Sequence, residues 1–222
     1  MIPFHLKKAL VGLVLIVGVF LSDHSFAVDK NAPAKTDAAN STAVEVVENL
    51  HQLLIKSMKL GSNATCTKRY ELLAPFIEKN FDFPFISRIV LGRKHWKQMD
   101  EETKKRFITA FANMTIATYA RRFDSYSGQR FETVSSHRDR RGFMIVKAVL
   151  IKPDGDKIDF TYVCRKTGDN KWKIVSVSAK GVNDLSVKRA DYNSFLKNHS
   201  IDELINKLLE QAQKCLGDNK TS

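Results

Sequence analysis

FMIVKAVLIKPDGDKIDFTYVCRKTGDNKWKIVSVSAKG, residues 143–181, is the stretch that decides the fold. Three runs rich in Val, Ile, Phe, Tyr and Trp are separated by Pro153-Asp154-Gly155-Asp156 and Thr167-Gly168-Asp169-Asn170. Breaker clusters between β-forming runs spell consecutive hairpins, hence an antiparallel meander. Strand side chains alternate between faces, so Met144, Val146, Ala148 and Leu150 share one side of the first run. Phe143, Ile145, Val149 and Ile151 share the other, with Lys147 as the polar exception. The second run divides into Ile158, Phe160, Tyr162 and Cys164 against Asp159, Thr161, Val163 and Arg165. The third sets Trp172 and Ile174 against Val175, Val177 and Ala179. An antiparallel sheet open to water on one side alternates cleanly between apolar and polar. Here apolar cover is expected on both faces, supplied by packed helices alone or by helices that also wall a cavity for an apolar ligand.

Upstream, a strand over about residues 130–138 leads into the meander. Before it come four helical patterns. The first starts with Ser41 or Thr42 as N-cap, places Val44, Val47, Leu50, Leu54 and Met58 on one stripe and ends before Gly61. The second spans about Cys66 to Asn80, with Tyr70, Leu73, Phe76 and Ile77 inward. The third runs from Pro84 to Gly92, a proline start and glycine stop. Asp100 caps the fourth and longest, whose face from Phe107 through Ala110, Phe111, Met114 and Ala117 to Thr118 is broad and apolar. Glu101 and Glu102 complement its positive end, and Arg121 and Arg122 its negative end. Two further helices are expected downstream, around Leu185 to Lys197 and Ser200 to Lys214. Helices, then sheet, then helices is the order of an α+β fold: a twisted antiparallel sheet of about four strands with the helices segregated around it.

The chain has 222 residues, 43% of them hydrophobic, which suits one sizeable domain with a real core. Thirty-six Lys and Arg against 24 Asp and Glu give a net charge of +12, spread without a basic tract, and favour anionic partners. Lys7 and Lys8 precede the apolar run Ala9 to Leu21, and Ser25-Phe26-Ala27 offers small residues where a signal peptidase reads. A signal peptide over residues 1–27, cleaved after Ala27, is expected. The apolar run reaches only about 20 Å as a helix, short of a hydrocarbon core of about 30 Å. Residues 28–40 then read as a flexible leader, 41–214 as the single domain and 215–222 as a disordered tail. Cys66, Cys164 and Cys215 are odd in number and widely spaced, so whether any two pair stays open.

Leu91-Gly92 followed by Trp96, the helix from Glu101 through Phe107 and Phe111 to Tyr119-Ala120, then Tyr126-Ser127-Gly128, and Trp172-Lys173-Ile174 with Gly181 and Arg189 occur in an order that resembles the MlaC and toluene-tolerance family. The resemblance covers roughly residues 43–212. It implies a periplasmic carrier that binds phospholipid acyl chains in an apolar cavity between sheet and helices. Such a carrier would shuttle lipid between an inner-membrane ABC transporter complex and an outer-membrane lipoprotein complex. The family usually has Asp-Val after its Trp-containing strand and Ser after the glycine, where this chain has Ser176 and Asn183. The run Gly181 to Tyr192 is similar to the hopanoid-associated HpnM branch, so a hopanoid-type lipid is the alternative cargo.

On this reading Phe107, Phe111, Met114, Val146, Ala148, Leu150, Phe160 and Tyr162 are the candidate lining residues, with the doubly apolar strand facing the broad fourth helix. Arg138, Arg140 and Arg141 are candidates for docking a headgroup or an acidic partner, against the bland alternative of a solvated loop. A small enzyme with an apolar pocket is the competing class, but His51, His95, His137 and His199 stand in no HxH, HExxH or GxSxG pattern. No catalytic residue, metal or cofactor is expected. Nucleic acid is not expected either, because the basic clusters lack interleaved aromatics.

Overall fold

The computed structural model describes residues 38–217, with side chains from residue 43. The expected signal peptide and most of the expected leader lie outside the described residues. Four helices come first: α1 (Ala38–Lys59), α2 (Cys66–Asn80), α3 (Phe83–Gln98) and α4 (Glu101–Arg122). Strands β1 (Arg130–Arg138), β2 (Met144–Ile151), β3 (Lys157–Lys166), β4 (Trp172–Ala179) and β5 (Val182–Asn183) follow, then α5 (Asp184–Phe195) and α6 (Ile201–Leu216). This is the α+β order the sequence spells.

The sheet is an antiparallel meander in the order β1-β2-β3-β4-β5, with five strands rather than about four. The addition is the two-residue β5, which folds back on β4 with Ala179 opposite Val182. Lys180 and Gly181 make the turn between them with φ of 52° and 76°, and two residues are too few to carry a periodic signal. Register fixes the faces: Phe131 lies opposite Leu150, Val146 opposite Tyr162 and Ala148 opposite Phe160. That face is the buried one. On the other, Ile145, Val149 and Val163 are only half-buried, so cover on both faces is not complete.

The helix over β1 and β2 is α1, whereas α4 packs against α2, α3 and α6. The expected pairing of α4 with the doubly apolar strand is thus replaced by α1 on the sheet and α4 at the centre of the helical layer. The sequence of α4 explains this: Ala112, Thr115, Ile116 and Ala120 are buried beside Phe107, Ala110, Phe111, Met114 and Ala117. Apolar on most sides, it belongs where neighbours surround it.

The boundaries show their local causes. Asp100 caps α4 by accepting the Thr103 N–H at 2.6 Å, and a Ser200–Glu203 capping box starts α6. Helix α1 begins at Ala38, ahead of the expected Ser41 or Thr42 cap and inside the expected leader. At Gly92 the backbone takes φ 75° and ψ 164°, which breaks α3, and a second helical piece continues to Gln98 where the sequence suggested a stop. Helix α6 runs through Cys215 to Leu216, residues the sequence reading assigned to the tail. Cys215 is bonded to Cys66, which ties the end of α6 to the start of α2. Cys164 is free and buried in β3, and burial pushes its thiol up to about 12.

Candidate functional site

Between the helices and the sheet the interior is filled by a continuous file of rings. Tyr192 of α5 meets Phe107 and Phe111 of α4, Phe111 meets Phe83, and Phe83 stacks on Phe81. Phe81 then meets Tyr119, Tyr119 stacks on Phe123, and Phe123 leads to Phe131 on β1. The file ends on the sheet, where Phe131 touches His51 and Phe160, and Phe160 stacks on Tyr162. His51 is buried, lies flat on Phe131 with centroids 4.1 Å apart, and shares a 3.0 Å hydrogen bond with the Tyr162 hydroxyl. Burial lowers its imidazole from 6.5 to about 4, so it is neutral at pH 7 and acts as one more apolar plate. Rings of this kind swing about few torsions and present broad apolar walls.

Along this file lies a narrow cleft, about 20 Å³, bounded by Phe81, Phe83 and Ile86 on one side, Phe111, Thr115 and Tyr119 of α4 on another, and Val175 to Val177 of β4 with Asp184 and Leu185 of α5 on the third. Its polar atoms are few. Thr115 is 8% exposed and its hydroxyl has no hydrogen-bond partner. The Tyr119 hydroxyl is raised above its ordinary range by burial and, secondly, by the Asp184 carboxylate. Ser176 Oγ accepts a hydrogen bond from Asn183 Nδ2 at 2.9 Å, while Asn183 Oδ1 caps α5 by accepting the Ser186 N–H. The two positions where the chain departs from the pattern of the resemblance therefore bond to each other, next to the cleft. Asp184 holds Lys188 at 3.1 Å.

Two joints frame this cleft. Asp82 accepts the Phe85 N–H at 3.1 Å through one oxygen and the Arg165 guanidinium at 2.9 Å through the other, and Arg165 lies over the Phe85 ring. This pins the start of α3 to the sheet. At the break in α3, a Cβ on Gly92 would stand 3.7 Å from Arg189 Nη2, so α5 closes on the broken segment through a guanidinium.

A larger hollow of about 470 Å³ lies open between α5 and α6, lined by Met114, Tyr192, Phe195, Leu204 and Leu208 together with Lys188, Asp191, His199 and Lys207. It is mixed in polarity. Lys207 sits over Phe195 at 4.4 Å, and His199 stacks on the same ring while binding Glu203. Among the described residues no His, Cys, Asp and Glu group is arranged to hold a metal, and no helix is long and apolar enough to cross a membrane.

The expected lining residues divide accordingly. Phe111 lines the narrow cleft and Met114 the open hollow; Phe107, Phe160 and Tyr162 belong to the ring file. Val146, Ala148 and Leu150 form the buried floor of the sheet. The structure adds Thr115, Leu185 and His51, for which a lone Thr, Leu or His in a helix gives no advance signal, and Tyr119, which the sequence marked only as part of the resemblance. Of the three expected docking arginines, Arg138 lies over Trp172 and Arg141 is paired with Asp139 over Phe143. Arg140 is exposed.

The model of the MlaC protein family matches residues 46–210. Among solved structures, a phospholipid-binding protein from Ralstonia solanacearum in complex with a phospholipid aligns with a TM-score of 0.66 over 80% of this chain and 98% of that one. Sequence identity in that alignment is 18%, a likeness of fold. No curated protein matches the chain in sequence.

Proposed function

The chain belongs to the MlaC family, and from that premise we propose that it is a periplasmic carrier that takes the acyl chains of a phospholipid into the seam between α4 and the α3–β4–α5 wall. The observation that carries this reading is the family match, which runs through every element bounding the cleft. Physical chemistry supports it. A chain of about 16 methylenes costs on the order of 13 kcal/mol to leave in water at about 0.8 kcal/mol per CH₂. A lipid crossing an aqueous compartment therefore needs a dry container.

The narrow cleft is far smaller than an acyl chain, so entry requires the ring file to part and the α3–α5 side to move outward. Phe107, Phe111, Phe160 and Tyr162 then become walls over the floor of Val146, Ala148 and Leu150. The open hollow, with Met114 and two lysines on its rim, is positioned for a headgroup. Export by residues 1–27, delivery between an inner-membrane ABC transporter complex and an outer-membrane lipoprotein complex, and a binding rather than enzymatic role complete the proposal.

Organic extraction of gently purified protein followed by mass spectrometry tests it. Stoichiometric phospholipid is expected. A hopanoid-type lipid would reassign the cargo, and an empty extract from several preparations, together with no uptake from vesicles, would overturn the carrier reading.

A further inference from the structure

The polar atoms of the cleft narrow the chemistry of what it holds; this step rests on the carrier reading and deepens it. Helix α4 contains a built-in control. Thr118 satisfies its hydroxyl by donating to the Met114 carbonyl one turn back at 2.8 Å, the ordinary solution for a threonine inside a helix. Thr115, three residues earlier on the same helix, is 8% exposed and has no hydrogen-bond partner. A buried hydroxyl left without a partner costs stability and calls for a reason. Thr115 lines the cleft, and Tyr119, one turn along on the same face, lines it as well. Ser176 pairs with Val163, on the opposite face of the sheet from Val177 and Tyr162, and accepts there from Asn183, so its hydroxyl is turned away from theirs.

Two O–H donors, those of Thr115 and Tyr119, thus line a space that is otherwise walled by Phe81, Phe83, Ile86, Phe111, Val175, Val177 and Leu185. What such a place binds must be apolar in body and must offer acceptor oxygens without needing donors in return. A phosphate meets the second condition but not the first, and Asp184 at the rim repels an anion. A fused-ring hydrocarbon meets the first and offers no acceptor. A carboxylic ester meets both: its carbonyl oxygen accepts, it bears no proton, and it joins directly to an acyl chain.

We propose that Thr115 and Tyr119 form an ester-carbonyl subsite that places the glycerol-ester junction of an acyl lipid at the α4–β4–α5 cleft and selects ester-linked over ether-linked or ring-hydrocarbon lipids. Thr115 is the specificity-determining residue, because its hydroxyl is buried without a partner whereas Tyr119 is only half-buried.

Phosphatidylglycerol with two C16 ester chains and its dialkyl ether analogue share a headgroup and chain length and differ in the carbonyls alone. Full-length mature protein is offered vesicles containing both, and the lipid retained is measured by mass spectrometry. The wild-type protein is expected to retain the ester form about tenfold over the ether form, the discrimination of one buried hydrogen bond. In Thr115→Val the ratio should fall towards one, and in Thr115→Ser, which keeps the donor, it should persist. Melting curves run alongside, and Thr115→Val should melt at or above the wild-type temperature, because it removes an unpaired hydroxyl at nearly constant shape. Equal retention of both lipids by the wild-type protein would overturn the subsite while leaving the carrier reading intact. An undiminished ratio in Thr115→Val would overturn it too. Retention of neither lipid would remove the carrier reading and the subsite with it.

Discussion

The helices on either side of the cleft are held by different means. On one side α2, α4 and α6 are fastened by a covalent bond and by buried polar contacts. Cys66 and Cys215 are joined with Cα atoms 5.1 Å apart, Thr67 donates to the carbonyls at the end of α6, and buried Arg69 donates to the carbonyls of Ala120, Gly61 and Ala64. On the other side α3 is broken at Gly92, α5 buries only Tyr192, and the main polar fastener is the part-exposed Asp82–Arg165 pair. A covalently tied frame faces a flap held mainly by apolar packing, with Phe83, Ile86, Val90 and Leu91 of α3 buried, and the ring-lined seam runs between them. In the proposed carrier the less fastened side is the one expected to move, while the frame keeps the remaining walls in register.

The largest effect should come from cutting the frame's covalent tie. Cys66 and Cys215 are 149 residues apart, and in the chain-entropy account a loop of that size is worth about 5 kcal/mol of stability. Cys66→Ala with Cys215→Ala should therefore lower the unfolding free energy by about that amount in urea titrations. Amide exchange in α3 and α5 should change much less than in α2 and α6. Equal acceleration on both sides would erase the distinction between frame and flap.

Acid should strike at the sheet end of the ring file. The unfolded chain protonates His51 near 6.5, whereas the folded state resists until about 4. Stability from this group is complete above pH 6.5 and is lost as pH falls from 6.5 to 4, because in that window the unfolded state binds more protons. At 1.36 kcal/mol per pH unit the total is about 3 kcal/mol. His51→Gln should flatten the stability profile across this window, measured by denaturant titration at several pH values; an unchanged slope would place the acid sensitivity elsewhere.

A smaller, local effect is expected at the flap's hinge. Asp82→Ala removes an N-cap, worth about 1 kcal/mol, and a part-exposed ion pair worth up to about 1 kcal/mol. The expected loss is about 2 kcal/mol, with faster amide exchange concentrated in residues 83–91. If exchange rose equally in α2 and α4, the hinge would be part of the frame.

Smallest is the effect of Arg140→Ala. Arg138 lies over Trp172 and Arg141 pairs with Asp139, yet all three arginines are exposed, so Arg140→Ala removes one charge of the three expected to dock. Stability should stay within about 0.5 kcal/mol of wild type. Binding to anionic vesicles at 0.1 M salt, where charges are felt over about 10 Å, should weaken about twofold at most. A large loss would single out Arg140 within the cluster as the docking residue.

How much of this was legible in the sequence depended on whether the signal was periodic. The meander from Phe143 to Gly181 could be read because its turns are spelled by Pro, Gly, Asp and Asn and its runs by β-branched and aromatic residues. The cap at Asp100 was readable for the same local reason. Strand β5 was not, being two residues long, and the glycine rule that placed a helix end at Gly92 does not say that a second helical piece follows. Three cysteines allow three pairings, and only the packing of α6 beside α2 selects Cys66 with Cys215. The cleft was half-visible: Phe111 lay on the apolar face, and the unusual residues Ser176 and Asn183 turn out to be bonded to each other within the β4–β5 hairpin beside it. Thr115 was invisible, because nothing in a sequence tells a threonine that bonds back to its own helix from one that does not.

The central claim is that acyl chains lie in the seam between frame and flap rather than in the open hollow between α5 and α6. Photo-crosslinking measures this directly, with a benzophenone side chain placed at Leu185 on the flap side of the seam or at Lys207 on the rim of the hollow. After loading from phospholipid vesicles and irradiation, intact-mass analysis should show a lipid adduct at position 185 and little at 207. An adduct at 207 with none at 185 would contradict the account and move the acyl chains out of the seam.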